Sequence, residues 1–323
     1  MGDDLPLTRR CSNALSPCWL SPLGYMWRQG HDRGRIIMND AGKNGAGRTA
    51  NDWAGDAGTR WLAQLDRFEA MIEPIGNALL AQASYTAGET VVDIGCGGGW
   101  TTRRIAAAVG TAGSVLGLDL SPDLVAAANG RARRAGLANI HVVKGDAATA
   151  MPLEAPFDRL FSRFGTMFFS EPYRAFANLH QMVRQGGRLD IAVWAPIADN
   201  PWQAKIMAAL RRHIDMPTPE PRAPGPFALG DRDYVTDLLQ SAGFSAIMFD
   251  AWTGNQYVGG PRSDPESATR FVLDGMQVGD LIRARGEAAR AAIQRSVAEL
   301  FERHRDDYGV RLAAKAWLVS ARA

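Results

Sequence analysis

The sequence predicts an α/β protein whose core is a doubly wound sheet with helices on both of its faces. Apolar strand-like segments alternate with amphipathic helical segments between residues 90 and 194, a pattern typical of parallel sheets. The first three of these strands each lead into a turn that carries a carboxylate, at Asp93, Asp119 and Asp146. Because the carboxyl ends of parallel strands meet at one edge of a sheet, we expect a ligand site at that edge.

The turn after the first strand (90–94) is rich in glycine. From Asp93 onward the residues follow the pattern D-x-G-x-G-x-G, and a helix is predicted over 100–109. Glycine allows the backbone to turn sharply and a ligand to approach it closely. A dinucleotide fingerprint, G-x-G-x-x-G, would need a glycine in place of Trp100 or Thr102, so the spacing disfavours a site for NAD.

The next two strands supply the other acids. The second strand (114–119) ends on Asp119, whose carboxylate can accept hydrogen bonds from both hydroxyls of a ribose. A helix over 121–136 follows, and Ser121 is predicted to cap its N-terminus. The third strand (139–143) then leads into the third acid-bearing turn.

Together these turns resemble the cofactor motifs of class I S-adenosylmethionine-dependent methyltransferases. The resemblance implies a Rossmann-like, seven-stranded sheet that is mostly parallel with an antiparallel last strand, and S-adenosylmethionine as the cofactor. In the family, the acid at the position of Asp146 hydrogen-bonds the adenine amino group. We predict that the cofactor-binding residues are Asp93, Gly95, Cys96, Gly97, Gly99, Asp119, Leu120, Gly145, Asp146, Ala147 and Arg163.

The alternation of strands and helices continues beyond the third strand. A fourth strand (157–162) is predicted to precede a helix (172–183) that Ser170 caps, and a fifth strand (188–194) follows. The turn before the fifth strand is similar to the L-x-P-G-G turn of the family, except that Gln185 stands where proline is usual.

The two ends of this pattern define the predicted domain. We expect residues 1–50 to be a disordered or spurious N-terminal extension, and one hypothesis is that translation starts at Met38. Residues 51–323 then form the methyltransferase domain. Its first helix carries an apolar stripe from Trp61 to Leu79, which we expect to cover the cofactor edge of the sheet.

The second half of the domain carries two additions to the basic pattern. A cap segment, 195–230, contains a helix near 202–214 and a proline-rich run that favours extended chain, and we expect it over the mouth of the site. A mostly helical insertion occupies 254–309. The resemblance implies that this insertion interrupts an antiparallel hairpin of the sixth and seventh strands (244–251 and 314–320).

Methyl transfer from a sulfonium is an in-line displacement, which mainly requires positioning of the reactants and exclusion of water. Aromatic faces can also hold the sulfonium by cation–π attraction. The segment 162–169 and the tripeptide Asn200-Pro201-Trp202 resemble the ubiquinone/menaquinone-biosynthesis-type branch of the family, which acts mainly on small molecules. We expect the substrate pocket to be lined by Phe164, Met167, Phe168, Trp194, Trp202 and Phe227.

The sequence does not identify a catalytic residue. His141 falls within a strand and His180 in the middle of a helix, so we expect both to be packed; His213 in the cap segment is better placed to act as a general base. Arg163 can pair with an acidic group on the acceptor. Catalysis by proximity alone is the default, with His213 and Arg163 as candidates.

Composition argues against several other classes of function. The formal net charge of +2 shows no electrostatic footprint for nucleic acid, and the arginines of 131–134 are predicted to be a solvated helix face. No apolar run approaches the roughly 18 residues of a membrane span. The three cysteines, Cys11, Cys18 and Cys96, and the five histidines lack the spacing of a metal-ligand set.

We therefore predict a cytoplasmic, metal-free enzyme that acts on a small molecule, with its oligomeric state left open. Two other interpretations stay open on the sequence alone. One is a non-catalytic cofactor-binding or regulatory protein with the same fold, and the other is an NAD-dependent oxidoreductase.

Overall fold

The computed structural model describes residues 36–38, 53–215, 222–276, 282 and 285–323. Apart from residues 36–38, the predicted N-terminal extension 1–50 lies outside the described residues, as does the first half of the proline-rich run, 217–221. The backbone alone is described for residues 36–38.

A mixed sheet forms the centre of the fold. Seven strands make up its main path: β2 (Thr90–Ile94), β3 (Ser114–Asp119), β4 (Ile140–Lys144), β6 (Phe157–Arg163), β7 (Val183–Trp194), β8 (Ser245–Tyr257) and β10 (Gly309–Arg322). Their order is β4-β3-β2-β6-β7-β10-β8, and a short eighth strand, β9 (Arg305–Asp306), pairs with β10 off this path. The neighbours from β4 to β7 along this order are parallel, whereas β10 is antiparallel to both β7 and β8. The predicted mostly parallel sheet with an antiparallel last strand is confirmed.

Helices cover the sheet, and their bounds follow the sequence pattern closely. They are α1 (Asp56–Ala63), α2 (Leu65–Ala83), α3 (Trp100–Val109), α4 (Pro122–Arg134), α5 (Pro172–Gln181), α6 (Pro201–Arg211), α7 (Arg232–Ser241), α8 (Pro265–Gly275) and α9 (Glu287–Glu302), with short 3-10 turns at Thr166–Phe168 and Ile197–Asp199. The predicted N-cap of α4 is confirmed, because the Ser121 side chain accepts a hydrogen bond from the Leu124 N–H.

The N-terminal apolar stripe is shared by two helices rather than one. Gln64 leaves the helical conformation at φ −121° and separates α1 from α2. The stripe on α2 is buried, with Ile75 and Leu79 fully covered by the sheet and its helices. Trp61 belongs to α1, and its ring stacks on Phe68 of α2, so the stripe continues across the break.

Arg67 on α2 fastens the helical insertion to the N-terminal helices. Its Nε donates to Gly259 O at 2.8 Å, and its Nη2 donates to Ser267 O at 2.9 Å and to Ser267 Oγ at 2.7 Å. Ser267 lies in the first turn of α8, which the Asp264 side chain caps. The insertion is therefore tied by side-chain hydrogen bonds to the helix that lies over the sheet.

Two local features differ from the sequence-based expectation. The helix α5 begins with Pro172 and its N-cap position is Glu171, without a side-chain cap, so the prediction that Ser170 caps it is wrong. The pairing of β8 with β10 extends to Tyr257 opposite Arg311, beyond the predicted strand ends. That extension carries polar residues, which pair through the backbone and leave no apolar pattern in the sequence.

A second, two-stranded sheet was not predicted. The strand β1 (Ile36–Met38) pairs antiparallel with β5 (Ala150–Pro152). These three residues fall within the stretch for which the sequence predicts no fold. Within residues 53–215, 222–276 and 285–323, none of the helices combines the length and the hydropathy that a membrane span needs.

A buried ion-pair network lies where α2 ends against the sheet. The Asp190 carboxylate on β7 is fully buried and lies 2.6 Å from Arg188 Nη2 and 3.5 Å from Arg159 Nη2. Arg159 also donates to Ala83 O at the end of α2 and lies 3.4 Å from Glu89. The network thus joins α2 to two adjacent strands.

We expect Asp190→Ala to lower the free energy of unfolding by about 3–5 kcal/mol, because it leaves the buried Arg159 and the half-buried Arg188 without their shared counter-charge. Urea denaturation monitored by tryptophan fluorescence measures the change. The matched control is Asp250→Asn on β8, an exposed carboxylate whose loss is expected to change stability by less than about 0.5 kcal/mol. Equal effects of the two substitutions would contradict the network's role.

Candidate functional site

A cavity of about 430 Å³ opens at the carboxyl ends of the parallel strands. It lies where the strand order reverses, since β3 and β4 extend from β2 to one side and β6 and β7 to the other. Such a switch point is the usual place for a ligand in an open α/β sheet. The glycine turn after β2, the turns after β3, β4 and β6, the N-terminal helices, α6 and the end of α8 all contribute to its walls.

Two glycines of the turn after β2 have different physical roles. At Gly95 (φ +64°) an added Cβ would lie 2.8 Å from Gly165 Cα, so this glycine allows the turns after β2 and β6 to touch. At Gly97 (φ +55°) an added Cβ would meet no atom nearer than Trp61 Nε1, at 3.9 Å. The space beside Gly97 is therefore open to a ligand.

Asp119 joins the glycine turn to the end of β3. Its Oδ2 accepts the Gly97 N–H at 2.8 Å and its Oδ1 accepts the Ser121 N–H at 2.9 Å. Burial raises the pKa of this carboxyl, and the N–H groups of Ser121 and Gly97 oppose that rise. Since each carboxylate oxygen has two acceptor sites, Asp119 can still accept from a ligand in the cavity that it lines.

Asp93 acts below the cavity rather than in it. The carboxylate is fully buried and does not line the cavity; its Oδ2 accepts hydrogen bonds from Thr101 Oγ1 and Thr102 Oγ1, both at 2.7 Å. Burial raises the pKa of Asp93 to about 6, and the two threonine hydroxyls oppose the rise. Asp93 therefore positions the first turn of α3, which follows the glycine turn.

The turn after β4 is held by a residue that the sequence did not single out. Asn178 on α5 is buried, and its Nδ2 donates to Ala147 O and to Ala150 O, both at 2.9 Å. The side chain of Asp146 accepts the Ala148 N–H at 2.9 Å. The only sequence signal for Asn178 is a polar residue on the apolar face of a helix, which is compatible with many buried structural roles.

Arg163, at the end of β6, lines the cavity beside the glycine turn. Its guanidinium carbon lies 4.7 Å from the centre of the Trp100 ring, and its Nη1 is buried with no hydrogen-bond partner within the described part of the chain. Burial lowers the pKa of Arg163 to about 10, while the carboxylates of Glu69 and Asp93 oppose that change.

A partly buried ion pair contacts the glycine turn at Gly98. Glu69 on α2 lines the cavity, and its Oε2 lies 2.8 Å from Arg131 Nη1 on α4. The same Nη1 donates to Gly98 O at 3.3 Å. The prediction that 131–134 is a solvated face holds for Arg133 and Arg134, which are exposed, but is wrong for Arg131. The partner that buries it is 62 residues away in the chain.

Two chains of aromatic rings line the rest of the cavity. On the side of the N-terminal helices, Trp53 contacts Phe168 and Trp61, and Trp61 stacks on Phe68 with ring centres 4.0 Å apart. On the side of α6 the ring centres are 4.3 Å apart for Phe164 and Trp194, 5.3 Å for Trp194 and Trp202, and 6.5 Å for Trp202 and Phe227.

One asparagine anchors the start of α6. The buried Asn200 donates from Nδ2 to Ala195 O at 2.9 Å, and its Oδ1 accepts from Trp202 Nε1 at 3.2 Å and from Lys315 N at 3.0 Å. Its side chain thereby links the end of β7, the first turn of α6 and the strand β10. This places Trp202 in the cavity wall.

The structure brings most of the predicted site residues together. The cavity is lined by Gly95, Cys96, Gly97, Asp119, Leu120, Gly145, Asp146, Ala147, Arg163, Phe164, Met167, Phe168, Trp194 and Trp202. Three of the predicted residues, Asp93, Gly99 and Phe227, do not line the cavity. Phe227 packs behind Trp202, which does line it. The sequence did not assign a site role to Trp53, Arg60, Glu69 or Met276, which also line the cavity.

None of the three histidines considered as a base lines the cavity. His213 is exposed and follows the end of α6, whose residues Trp202, Ile206 and Leu210 occupy the face turned to the cavity. His180 packs edge-on against Phe244, with ring centres 4.8 Å apart. The expectation that His213 is placed to act as a base is therefore not supported by its position.

In the described ranges, no group of three or more histidine, cysteine, aspartate or glutamate side chains is arranged so that it could hold a metal ion. Cys96 is a free, buried thiol, and burial raises its pKa well above the usual value.

The central part of the chain is similar to known proteins. Residues 91–187 match the family described as a methyltransferase domain. The chain is 30% identical over 179 residues to an uncharacterized protein of Mycobacterium tuberculosis, a match that covers 53% of this chain and 60% of that protein. It is 32% identical over 124 residues to the aklanonic acid methyltransferase DauC of Streptomyces sp. strain C5, covering 38% of this chain and 56% of that one. In both cases the match spans less than two thirds of the relative.

A solved structure shares the fold. Phosphoethanolamine N-methyltransferase 2 of Haemonchus contortus, in complex with phosphomonomethylethanolamine and S-adenosylhomocysteine, superposes with a TM-score of 0.53 over 86% of this chain and 61% of that one. The sequence identity is 15%, so the likeness concerns the fold alone.

The raised pKa of Asp93 predicts a pH-dependent stability. The unfolded carboxyl titrates near pH 4 and the folded one at about 6, so the folded state holds a proton in a range where the unfolded state has lost it. The contribution of Asp93 to the free energy of unfolding must then fall as the pH rises from about 4 to about 6, by on the order of 3 kcal/mol.

Urea denaturation of the wild type and of Asp93→Asn at a series of pH values measures this contribution. Asparagine keeps an acceptor for the two threonine hydroxyls but does not titrate. We expect the wild type to lose stability relative to Asp93→Asn across that interval. A difference between the two proteins that stays constant from pH 4 to pH 7 would contradict the assignment.

Proposed function

We propose that this chain is an S-adenosylmethionine-dependent methyltransferase that transfers a methyl group to a small, apolar or aromatic acceptor. The observation that carries the proposal is the junction of the turns after β2 and β3, where the Gly97 N–H binds Asp119 at 2.8 Å and the space beside Gly97 is open. The match of residues 91–187 to the methyltransferase domain family supports the same activity.

The described residues fit this cofactor in three places. Asp119 has acceptor sites for the ribose hydroxyls, Asp146 and Ala147 flank the position for adenine, and the backbone around Gly97 leaves room for the chain that carries the sulfonium. When bound, S-adenosylmethionine supplies a methyl group on a positively charged sulfur, which is an activated leaving group. The protein has to orient that group and keep water away from it.

The acceptor side of the cavity has the properties that such a reaction favours. Trp194 and Trp202 are buried and pack in line with Phe164, and Met167 and Ile206 add apolar surface. Positive charge is lost as the methyl group leaves, so a desolvated, aromatic environment suits the transition state, and ring faces attract the sulfonium before transfer. An apolar or aromatic acceptor is the chemical class that stacks on such walls.

The name of one relative supports a small-molecule acceptor. That relative is named as a methyltransferase of aklanonic acid. Within the methyltransferases, the segment 162–169 and Asn200-Pro201-Trp202 resemble the ubiquinone/menaquinone-biosynthesis-type branch, and we place this chain there on those residues. Location in the cytoplasm stays a prediction of the sequence.

Catalysis in this proposal depends on proximity. Among the described residues, the three carboxylates that line the cavity already have partners in the protein: Glu69 pairs with Arg131, Asp119 accepts two backbone N–H groups, and Asp146 accepts the Ala148 N–H. With S-adenosylmethionine bound, the aromatic walls would hold the acceptor atom near the methyl group, and the resulting effective concentration would supply most of the acceleration. An acceptor oxygen that is already ionised at neutral pH suits this site best.

The first test is calorimetric titration of the full chain with S-adenosylmethionine and, in parallel, with NAD. We expect S-adenosylmethionine to bind with a dissociation constant in the micromolar range, about −8 kcal/mol, and NAD not to bind. Binding of NAD alone would favour the oxidoreductase interpretation and overturn the proposed function.

The second test concerns Asp119. We expect Asp119→Ala to weaken the binding of S-adenosylmethionine by about 1.5–3 kcal/mol, because hydrogen bonds to a charged group are lost, a factor of roughly 10 to 150 in the dissociation constant. The matched control is Asp123→Asn, an exposed acid in the first turn of α4, which should leave affinity unchanged. Equal affinities of Asp119→Ala and the wild type would remove Asp119 from the site.

A third measurement separates a catalyst from a binding protein. The chain is incubated with S-adenosylmethionine and a panel of aromatic carboxylic acids, phenols and amines, and products are identified by a mass gain of one methylene. We expect methylated product from the panel. Tight cofactor binding without product from any class would favour the regulatory interpretation.

A further inference from the structure

Gln203 on α6 is a hydrogen-bonding side chain in an otherwise apolar part of the cavity wall. Five residues of that helix line the cavity: Trp202, Gln203, Ile206, Met207 and Leu210. Successive residues of a helix are about 100° apart, so these five positions span about 140° of its circumference. Gln203 falls inside this arc, between Leu210 and Met207, and not at either edge of it.

The structural role that is usual for a glutamine at this position is not the role of Gln203. A glutamine three residues after an N-cap residue often accepts the N-cap N–H and so closes a capping box. Here the N-cap is Asn200, and its N–H donates instead to Ile197 O at 3.0 Å. The Gln203 side chain forms no hydrogen bond with any residue that the structure describes. Its amide therefore takes no part in holding the helix.

The other α6 side chains in the wall offer no free hydrogen-bonding group. The indole N–H of Trp202 donates to Asn200 Oδ1 at 3.2 Å, and the remaining three side chains are apolar. An acceptor that lies along α6 therefore meets one amide, whose oxygen accepts and whose nitrogen donates. Covering that amide without giving it a partner has a cost in free energy, which a ligand with a matching polar group avoids.

The backbone of Gln203 is held in place before any acceptor binds. Its N–H donates to Asn200 O at 3.1 Å, and the Asn200 side chain bonds to the backbone just after β7 and to that of β10. A group that is already positioned loses less entropy on binding. Gln203 directly follows Trp202, whose ring continues the aromatic chain from Phe164 and Trp194. One acceptor can therefore contact these rings with its own ring and the amide with a substituent.

We infer that Gln203 selects aromatic acceptors that carry a second oxygen, a neutral hydroxyl or carbonyl apart from the atom that is methylated, and orients them by a hydrogen bond to that oxygen. This inference rests on the proposed function, and it narrows the acceptor class from apolar or aromatic molecules to oxygenated aromatic ones. The amide determines specificity, and it neither takes nor supplies a proton in the transfer.

The experiment titrates acceptors by calorimetry into the full chain saturated with S-adenosylhomocysteine, so that binding is measured without turnover. The probes are phenols built on benzene, naphthalene and anthracene. Each ring system is used with no second oxygen, with a second hydroxyl and with an acetyl group. We expect the wild type to bind the two doubly oxygenated probes of a ring system about 5- to 30-fold more tightly than the plain phenol, the range of a hydrogen bond in a largely desolvated site.

Two variants of Gln203 test whether its amide is the cause. Gln203→Met keeps the length and the helix propensity of the side chain but removes both hydrogen-bonding groups. We expect it to lose the preference because the doubly oxygenated probes bind more weakly, while the plain phenol keeps its wild-type affinity. Gln203→Glu retains an acceptor but no N–H donor, so it should keep the preference for the second hydroxyl and lose the preference for the ketone.

The matched control is Gln240→Met, an exposed glutamine on α7 outside the cavity lining, whose preferences should equal those of the wild type. The inference is overturned if the wild type binds none of the probes or binds all three of each ring system equally. It is also overturned if Gln203→Met keeps the preference or weakens all three probes alike. Each of these results leaves the proposed function intact, whereas failure of the wild type to bind S-adenosylmethionine overturns both.

Discussion

The hydrogen bond from the Gly97 N–H to the Asp119 carboxylate is the contact on which the site depends. It joins the ends of two parallel strands, β2 and β3, at 2.8 Å and fixes the direction in which the glycine turn faces. Asp93 supports the same turn from below through Thr101 and Thr102. With the turn fixed, Gly95 can touch the backbone of Gly165, so the position of β2 also determines where the loop after β6 begins.

The cavity has two sides that the chain builds in different ways. The cofactor side comes from short turns that follow consecutive strands within residues 91–187, the part that matches the methyltransferase domain family. The proposed acceptor side combines the turn after β6, which lies within that stretch, with α1, α2, α6 and the end of α8, which lie outside it. Arg67 on α2 holds α8 against the N-terminal helices through Gly259 and Ser267.

Most of the sheet and the cofactor side could be predicted because their signals are local. The glycine turn, Asp119 and the Ser121 cap each show in a few consecutive residues, and the structure confirms that cap and brings both acid-bearing turns to one edge. The rest depends on partners far away in the chain. Arg131 looked solvated because nothing near it predicts Glu69, and Asn178 and Gln64 carry no pattern that reveals their roles. His213 seemed well placed only while the end of α6 was unknown.

The residue that fixes the position of α6, Asn200, is distinct from the residues of α6 that line the cavity. The four hydrogen bonds of that side chain hold the start of the helix through the backbone of β7 and β10 and through one indole. The side chains farther along the helix that line the cavity, Gln203, Ile206, Met207 and Leu210, take no part in that attachment. Natural variation or directed evolution can therefore recombine these four positions to reshape the acceptor wall, while the helix that carries them keeps its place.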